Sequence, residues 1–145
     1  MSTGEIREFL THGTRTGKLA VLTPSGHPHV MPIWFVLDPP CGGQAAWDIV
    51  FNTGAKTVKG KHILSDGRVS LAVDDEQPPF AYVHIRGTAT AEDNPPDMLE
   101  WATRIGARYM GEDRAEEFGR RNGVPGELLV RLTPERVIAE RGVAD

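Results

Sequence analysis

The sequence predicts a mainly β (α+β) chain that folds as a small closed or nearly closed barrel with short helices. Three observations carry that reading. Short strand-like runs recur at regular intervals, separated by Pro/Gly turn signals. One short helical segment lies among them and a longer helical excursion comes late, which does not match the strict alternation of a parallel α/β sheet. The run from His27 to Leu37 is apolar at both parities, with Val30, Pro32, Trp34 and Val36 on one face and Met31, Ile33, Phe35 and Leu37 on the other. An exposed hairpin strand would alternate with polar residues, so this pattern predicts a strand covered on both sides.

The elements follow in order. The first residues, through Phe9-Leu10, suit a short helix. Lys18 to Thr23 reads as a strand, Pro24-Ser25-Gly26 as a turn, and His27 to Leu37 as the second arm of a hairpin. Pro32 has no N–H to give a ladder, so it marks an edge, a bulge or a place where a ligand replaces a neighbouring strand. Asp38 to Gln44 is a Pro/Gly loop, and Trp47 to Asn52 a third strand. Thr57 to Ser65 has helical spacing at Val58, Lys61 and Leu64, and Asp66-Gly67 stops it. Arg68 to Val73 alternates as a fourth strand. Asp74 to Pro79 reads as an acidic, solvated turn, and Phe80 to Thr90 as a fifth strand. Asn94-Pro95-Pro96 opens a helix to about Met110, with Leu99, Ala102, Ile105, Gly106 and Tyr109 along one stripe. A second short helix spans Arg114 to Arg121, and Asn122-Gly123 breaks it. Leu128 to Leu132 and Arg136 to Glu140 form a last strand kinked at Pro134.

A length of 145 residues fits one domain, residues 1–145. So small a core leaves much surface exposed, and burial against a second copy favours a homo-oligomer. The net charge of -4 argues against a nucleic-acid or membrane-surface binder. The single cysteine, Cys41, sits in a Pro39-Pro40-Cys41-Gly42-Gly43 turn and permits no internal disulfide. No signal peptide is visible and no run approaches the ~20 apolar residues of a membrane span, so the expected location is cytoplasmic.

Charge is unevenly placed. Of the four lysines, Lys56, Lys59 and Lys61 fall within six residues. They belong to Val50-Phe51-Asn52-Thr53-Gly54-Ala55-Lys56-Thr57-Val58-Lys59-Gly60-Lys61, a strand end followed by glycine, hydroxyls and a helix start. Free N–H groups at a helix start attract anions, and Thr57 and Lys59 add a hydroxyl and a point charge. The segment therefore suits one small anion such as a phosphate, and equally a solvated helix start. It is neither a P-loop nor a dinucleotide fingerprint. His27 and His29 share a strand face without further ligands, and His62 and His84 stand apart, so no metal site is expected. No Gly-x-Ser-x-Gly is present. Among the strand aromatics, Trp34 beside Pro32 is the candidate pocket wall.

Taken in sequence, Gly17-Lys18-Leu19-Ala20-Val21-Leu22, Gly26-His27-Pro28-His29-Val30-Met31-Pro32-Ile33-Trp34-Phe35, Asn52-Thr53-Gly54-Ala55-Lys56-Thr57-Val58-Lys59, Asp66-Gly67-Arg68-Val69-Ser70-Leu71 and Gly87-Thr88-Ala89 resemble the pyridoxamine-5′-phosphate-oxidase-like superfamily. They resemble most its F420-dependent oxidoreductase branch, group B of the flavin/deazaflavin oxidoreductases. The likeness runs from about residue 15 to 92 and continues weakly to the end. It rests on the order and spacing of these segments rather than on one motif.

The resemblance implies an FMN-binding-protein-like split β-barrel, a homodimer with two cofactor sites at its interface, and hydride transfer between reduced F420 and a small organic substrate. By position, Thr57 and Lys59 match a Ser/Thr-x-Lys phosphate element and Lys61 a second basic position. Asn52 and Thr53 match the strand end beside the phosphate and ribityl chain, and Pro32, Ile33 and Trp34 the strand whose backbone meets the ring. Residues near Pro79 to Tyr82 would come from the other subunit. The resemblance singles out no catalytic residue; Tyr82 and His29 are possible proton sources beside water. The chain departs from pyridoxamine phosphate oxidase itself, since no Arg-x-His follows at Arg136 or Arg141. FMN is the alternative cofactor, and binding without turnover the alternative role.

Overall fold

In the computed structural model the described residues are 1–39 and 47–145; the predicted turn around Cys41 lies outside them. The element order is α1 (Thr3–Thr11), β1 (Gly17–Leu22), β2 (Pro28–Ile33), β3 (Val36–Asp38), β4 (Asp48–Gly54), α2 (Val58–Ser65), β5 (Arg68–Asp75), β6 (Ala81–Asp93), α3 (Met98–Met110), α4 (Ala115–Asn122) and β7 (Glu127–Arg141). Ser2 and Glu5 cap α1 reciprocally, the Ser2 hydroxyl accepting from the Glu5 N–H and the Glu5 carboxylate from the Ser2 N–H.

The strands form one seven-stranded sheet in the order β2-β1-β5-β6-β7-β4-β3, antiparallel at every junction. The two edge strands, β2 and β3, are consecutive in the chain. Laid flat, seven strands would hold those edges about 29 Å apart at the usual spacing of about 4.8 Å. The link from Ile33 to Val36 spans three residue steps and reaches at most about 11 Å. The sheet must therefore curl until its edges nearly meet. The result is a split β-barrel, with Trp34 and Phe35 bridging the split.

This corrects the expectation of one strand from His27 to Leu37. Its halves lie at opposite edges of the sheet. The expectation that both faces are covered fails too, because within this chain Val30 is 58% and Met31 41% exposed. Among the described residues the edge strand β2 pairs with β1 alone, which is why Pro28 and Pro32 are tolerated there.

The barrel interior is filled by alternate residues of each strand, including Leu19 and Val21, Phe51, Val69, Leu71 and Val73, Val83 and Ile85, and Leu128, Val130 and Leu132. A second, smaller core lies outside the barrel wall, where Met98 and Trp101 of α3 cover Val50 of β4 and Leu129 of β7. Strand β7 continues through Pro134 but is bulged beside it: Arg86 faces Arg136 and Gly87 faces Pro134, which leaves Glu135 as the extra residue on β7, next to the expected kink. At Gly87 any Cβ would collide with the Thr133 carbonyl. The acidic turn is shorter than expected, because β5 continues to Asp75. Asp74 pairs with Lys18 at 2.7 Å and Asp75 with Arg15 at 2.9 Å.

Candidate functional site

The Trp34–Phe35 bridge leaves the strand ladders, so its buried backbone groups need other partners. Two neighbouring side chains of α3 supply them. The Tyr109 hydroxyl accepts from the Phe35 N–H at 3.1 Å and donates to the Arg15 carbonyl at 2.8 Å. The Arg108 guanidinium donates to the carbonyls of Phe35 (2.7 Å), Leu10 (2.7 Å) and Gly13 (3.0 Å), and lies 4.6 Å above the Phe35 ring. Burial pushes the Tyr109 hydroxyl above its ordinary pKa, although its bond to Phe35 and the Arg108 charge pull the other way. The Tyr109 ring also stacks on Trp34, with centroids 5.0 Å apart and planes within 5°. Trp34 is thus held flat while 36% of its surface stays exposed.

Beside Trp34 is an open cleft of about 250 Å³, lined by Pro32, Ile33, Trp34, Asn52, Lys59, Asn122 and Glu127. Its floor follows from strand alternation. Phe51 and Thr53 of β4 face the barrel interior, so Val50 and Asn52 face outward. Val50 is covered by α3. Asn52 extends the same face toward Gly54, which is in register with Glu127 of β7. The Asn52 amide donates to the Glu127 carboxylate at 3.2 Å.

Lys59 reaches the cleft because α2 starts tight against the end of β4. A Cβ at Gly60 would strike the Gly54 carbonyl, so only glycine lets the first turn approach this closely. Thr57 caps the helix: its hydroxyl accepts from the Gly60 N–H at 3.0 Å and donates to the Gly54 carbonyl at 2.8 Å. Burial lowers the Lys59 pKa and the Glu127 charge partly offsets that. Burial raises the Glu127 pKa, with the Asn52 bond and the Lys59 charge opposing. The two groups therefore lie within electrostatic reach of each other, in surroundings that resist charge.

Of the eight residues singled out by sequence, Pro32, Ile33, Trp34, Asn52 and Lys59 line one cleft. The other three do not. Thr53 is buried, its hydroxyl 3.3 Å from that of Thr57, the Thr57 hydroxyl is occupied by the cap, and Lys61 is exposed on α2. His29 and Tyr82 are not among the lining residues. Sequence reasoning missed Glu127 and Asn122, which follow and precede turn-like segments, and Arg108 and Tyr109, whose roles depend on the bridge. Among the described residues no three His, Cys, Asp or Glu side chains gather as a metal site, and no helix is long and apolar enough to cross a membrane.

A family model described as pyridoxamine 5′-phosphate oxidase matches residues 2–140. No curated protein matches the sequence. Among solved structures, the conserved hypothetical protein Rv2991 from Mycobacterium tuberculosis is similar at 25% identity and TM-score 0.82, with 98% of this chain and 86% of that one covered. A protein named F420 reductase is similar at 23% identity and TM-score 0.67, covering 90% of this chain and 94% of that one. HutZ, a heme storage protein from Vibrio cholerae, has 17% identity and TM-score 0.70, covering 98% and 97%. At such identities the last two speak for the fold alone.

Proposed function

The chain belongs to the pyridoxamine 5′-phosphate oxidase family, and from that premise we propose that its cleft binds a flavin or deazaflavin nucleotide, F420 in preference to FMN, for hydride transfer to or from a small organic substrate. The observation that carries the proposal is the cleft itself. It gathers a flat, partly exposed indole, the free-edge backbone at Pro32 and Ile33, two carboxamides and one lysine. The donor set fits such a ligand, because a ring with a polar edge needs an aromatic wall, amide partners and a cation for its phosphate.

When bound, the cofactor would supply the hydride chemistry; the chain supplies placement. Trp34, locked by Tyr109, walls the ring and excludes water from one side. Asn52 and Asn122 offer amide donors and acceptors, and Lys59 a positive charge. Outside the cleft mouth, the α2 start contributes the N–H groups of Val58 and Lys59, which meet no backbone acceptor among the described residues. Thr57 contributes by shaping that turn, and Lys56 and Lys61 by their field. A cleft of about 250 Å³ is smaller than the roughly 300–1,000 Å³ of most ligand pockets. A second copy packed against exposed Val30 and Met31 would complete it, so the working unit proposed is a homodimer.

The test is a fluorescence titration of the purified protein with F420 and FMN side by side, with its mass measured by sedimentation. Lys59→Ala should weaken binding by about 1–3 kcal/mol, the usual loss for a charged hydrogen bond. Unchanged affinity in that variant removes Lys59 from the site. A particle at the 15.9 kDa chain mass that still binds fully would refute the shared pocket.

A further inference from the structure

Glu127 is out of place in an anion site. Among the described residues lining the cleft it is the one carboxylate and Lys59 the one cation. Glu127 is fixed there rather than swinging free. Its residue is paired with Gly54 in the β4–β7 ladder, its Oε1 accepts from Asn52 at 3.2 Å, and its Oε2 lies 3.4 Å from where a Gly54 Cβ would sit. The lining therefore sums to no net charge. A lysine alone would favour the most highly charged phosphate available. A lysine whose charge is already offset by a neighbouring acid does not, since every added negative charge on the ligand is attracted by one group and repelled by the other, while stripping that extra charge of water still costs free energy that nothing repays.

We propose that Glu127 is a specificity-determining residue that tunes this cleft to a singly charged phosphodiester and against a phosphomonoester. The inference rests on the cofactor reading above and sharpens it. A phosphomonoester carries about -1.5 to -2 charges at neutral pH because its second proton leaves near pH 6. A phosphodiester has no second proton to lose and stays at one negative charge. FMN ends in a monoester, whereas the phosphate of F420 is a diester joining two parts of the molecule. The preference for F420 then has a cause in one side chain. The electrostatic ledger of the cleft also names the partners that must be present for it to work: Lys59 from α2, Asn52 from β4 and Asn122 at the end of α4.

The experiment uses three probes on the full chain at pH 7.5: FMN, the methyl ester of the FMN phosphate, and F420. FMN and its methyl ester share ring and ribityl chain and differ by close to one charge. The wild type should bind the methyl ester more tightly than FMN. Glu127→Gln keeps the shape and the acceptor for Asn52 while removing the charge. In that variant FMN should tighten by about threefold to tenfold more than the methyl ester, the range for one added charge a few ångströms away in a well-solvated site. A wild type that prefers FMN, or a variant that leaves the ratio of the two affinities unchanged, overturns the proposal. If F420 alone binds the wild type, the same substitution must admit FMN, and continued exclusion overturns it. A wild type that binds none of the three overturns the cofactor reading itself, an outcome seen before any variant is made. A thermal melt within a degree or two of wild type confirms that the variant is folded.

Discussion

Removing one oxygen from Tyr109 tests how the split in the barrel is held. In Tyr109→Phe the ring remains, so its stack on Trp34 at 5.0 Å survives. What is lost is the hydroxyl that accepts from Phe35 N–H at 3.1 Å and donates to the Arg15 carbonyl at 2.8 Å. Phe35 is wholly buried, so its N–H has no water to turn to. A stranded buried donor costs about 1–3 kcal/mol, and the forfeited bond to Arg15 adds about 1 kcal/mol. Part of this is recovered by relaxation, which leaves an expected loss of about 2–3 kcal/mol. For a chain near 150 residues each kcal/mol moves the melting temperature by roughly 3 °C, so the variant should melt about 6–9 °C lower. The assay is thermal unfolding followed by circular dichroism, with cofactor titration below the transition. Trp34 should also be less firmly placed, and binding should weaken along with stability. A melting point within 2 °C of wild type would refute the account, because Phe35 would then have another acceptor or would not need one.

The remaining predictions concern the two ends of α2 and, as a contrast, the start of α1. Gly60→Ala should destabilise the protein by about 1–3 kcal/mol, the usual penalty for overpacking, since its Cβ meets the Gly54 carbonyl. Gly4→Ala in α1, where nothing lies within 4 Å, should instead be neutral or stabilising by up to about 1 kcal/mol, both variants being read by urea unfolding. Asp66 accepts from the Arg68 side chain and, secondarily, from its backbone N–H, which holds its carboxyl at about 2 against an ordinary 3.8. A carboxylate depressed in the folded state gives its stabilisation in full above the unfolded value and loses it as the pH falls through the folded one. Asp66→Asn should therefore flatten the acid-unfolding curve between about pH 4 and pH 2, and an unchanged slope there would show that the Arg68 contact contributes nothing.

How much was legible in the sequence depended on whether a residue's role was set locally. The first hairpin, the start and stop of α2 and the edge character of Pro32 carry their signals in nearby residues, and they appear where expected. Asn52 and Lys59 were legible for the same reason: strand parity and helix onset orient them. The bridge was not. Ile33-Trp34-Phe35-Val36 is an unbroken run of strand-forming residues with no glycine or turn signal. Only Arg108 and Tyr109, more than seventy positions away, make it cheaper to leave the ladder there than to continue. The irregularity expected at Pro134 was legible too, since the ladder is interrupted beside it by an extra residue, Glu135, opposite Arg86 and Gly87. Glu127 could have been found only through the register that sets it opposite Gly54.

Barrel closure and the cleft share Trp34, whose neighbour Phe35 is buried in the core, and this constrains how the pair can vary. Any chain that joins the two edges of a seven-stranded sheet through a link of two residues must lift those residues out of the hydrogen-bond ladder. Their backbone then needs partners from outside the sheet, here Tyr109 and Arg108. The same departure turns Phe35 inward and the residue before it, Trp34, outward, beside an edge strand of the sheet. A concave, aromatic-walled opening is thus a geometric consequence of closing the barrel this way. Substitutions at Trp34, Phe35, Arg108 or Tyr109 should alter folding and binding together. Lys59 and Glu127 stand apart from closure, supplying charge to an opening that exists without them. Selectivity can therefore drift at those two positions while the scaffold stays fixed, as expected of a fold that serves many ligands.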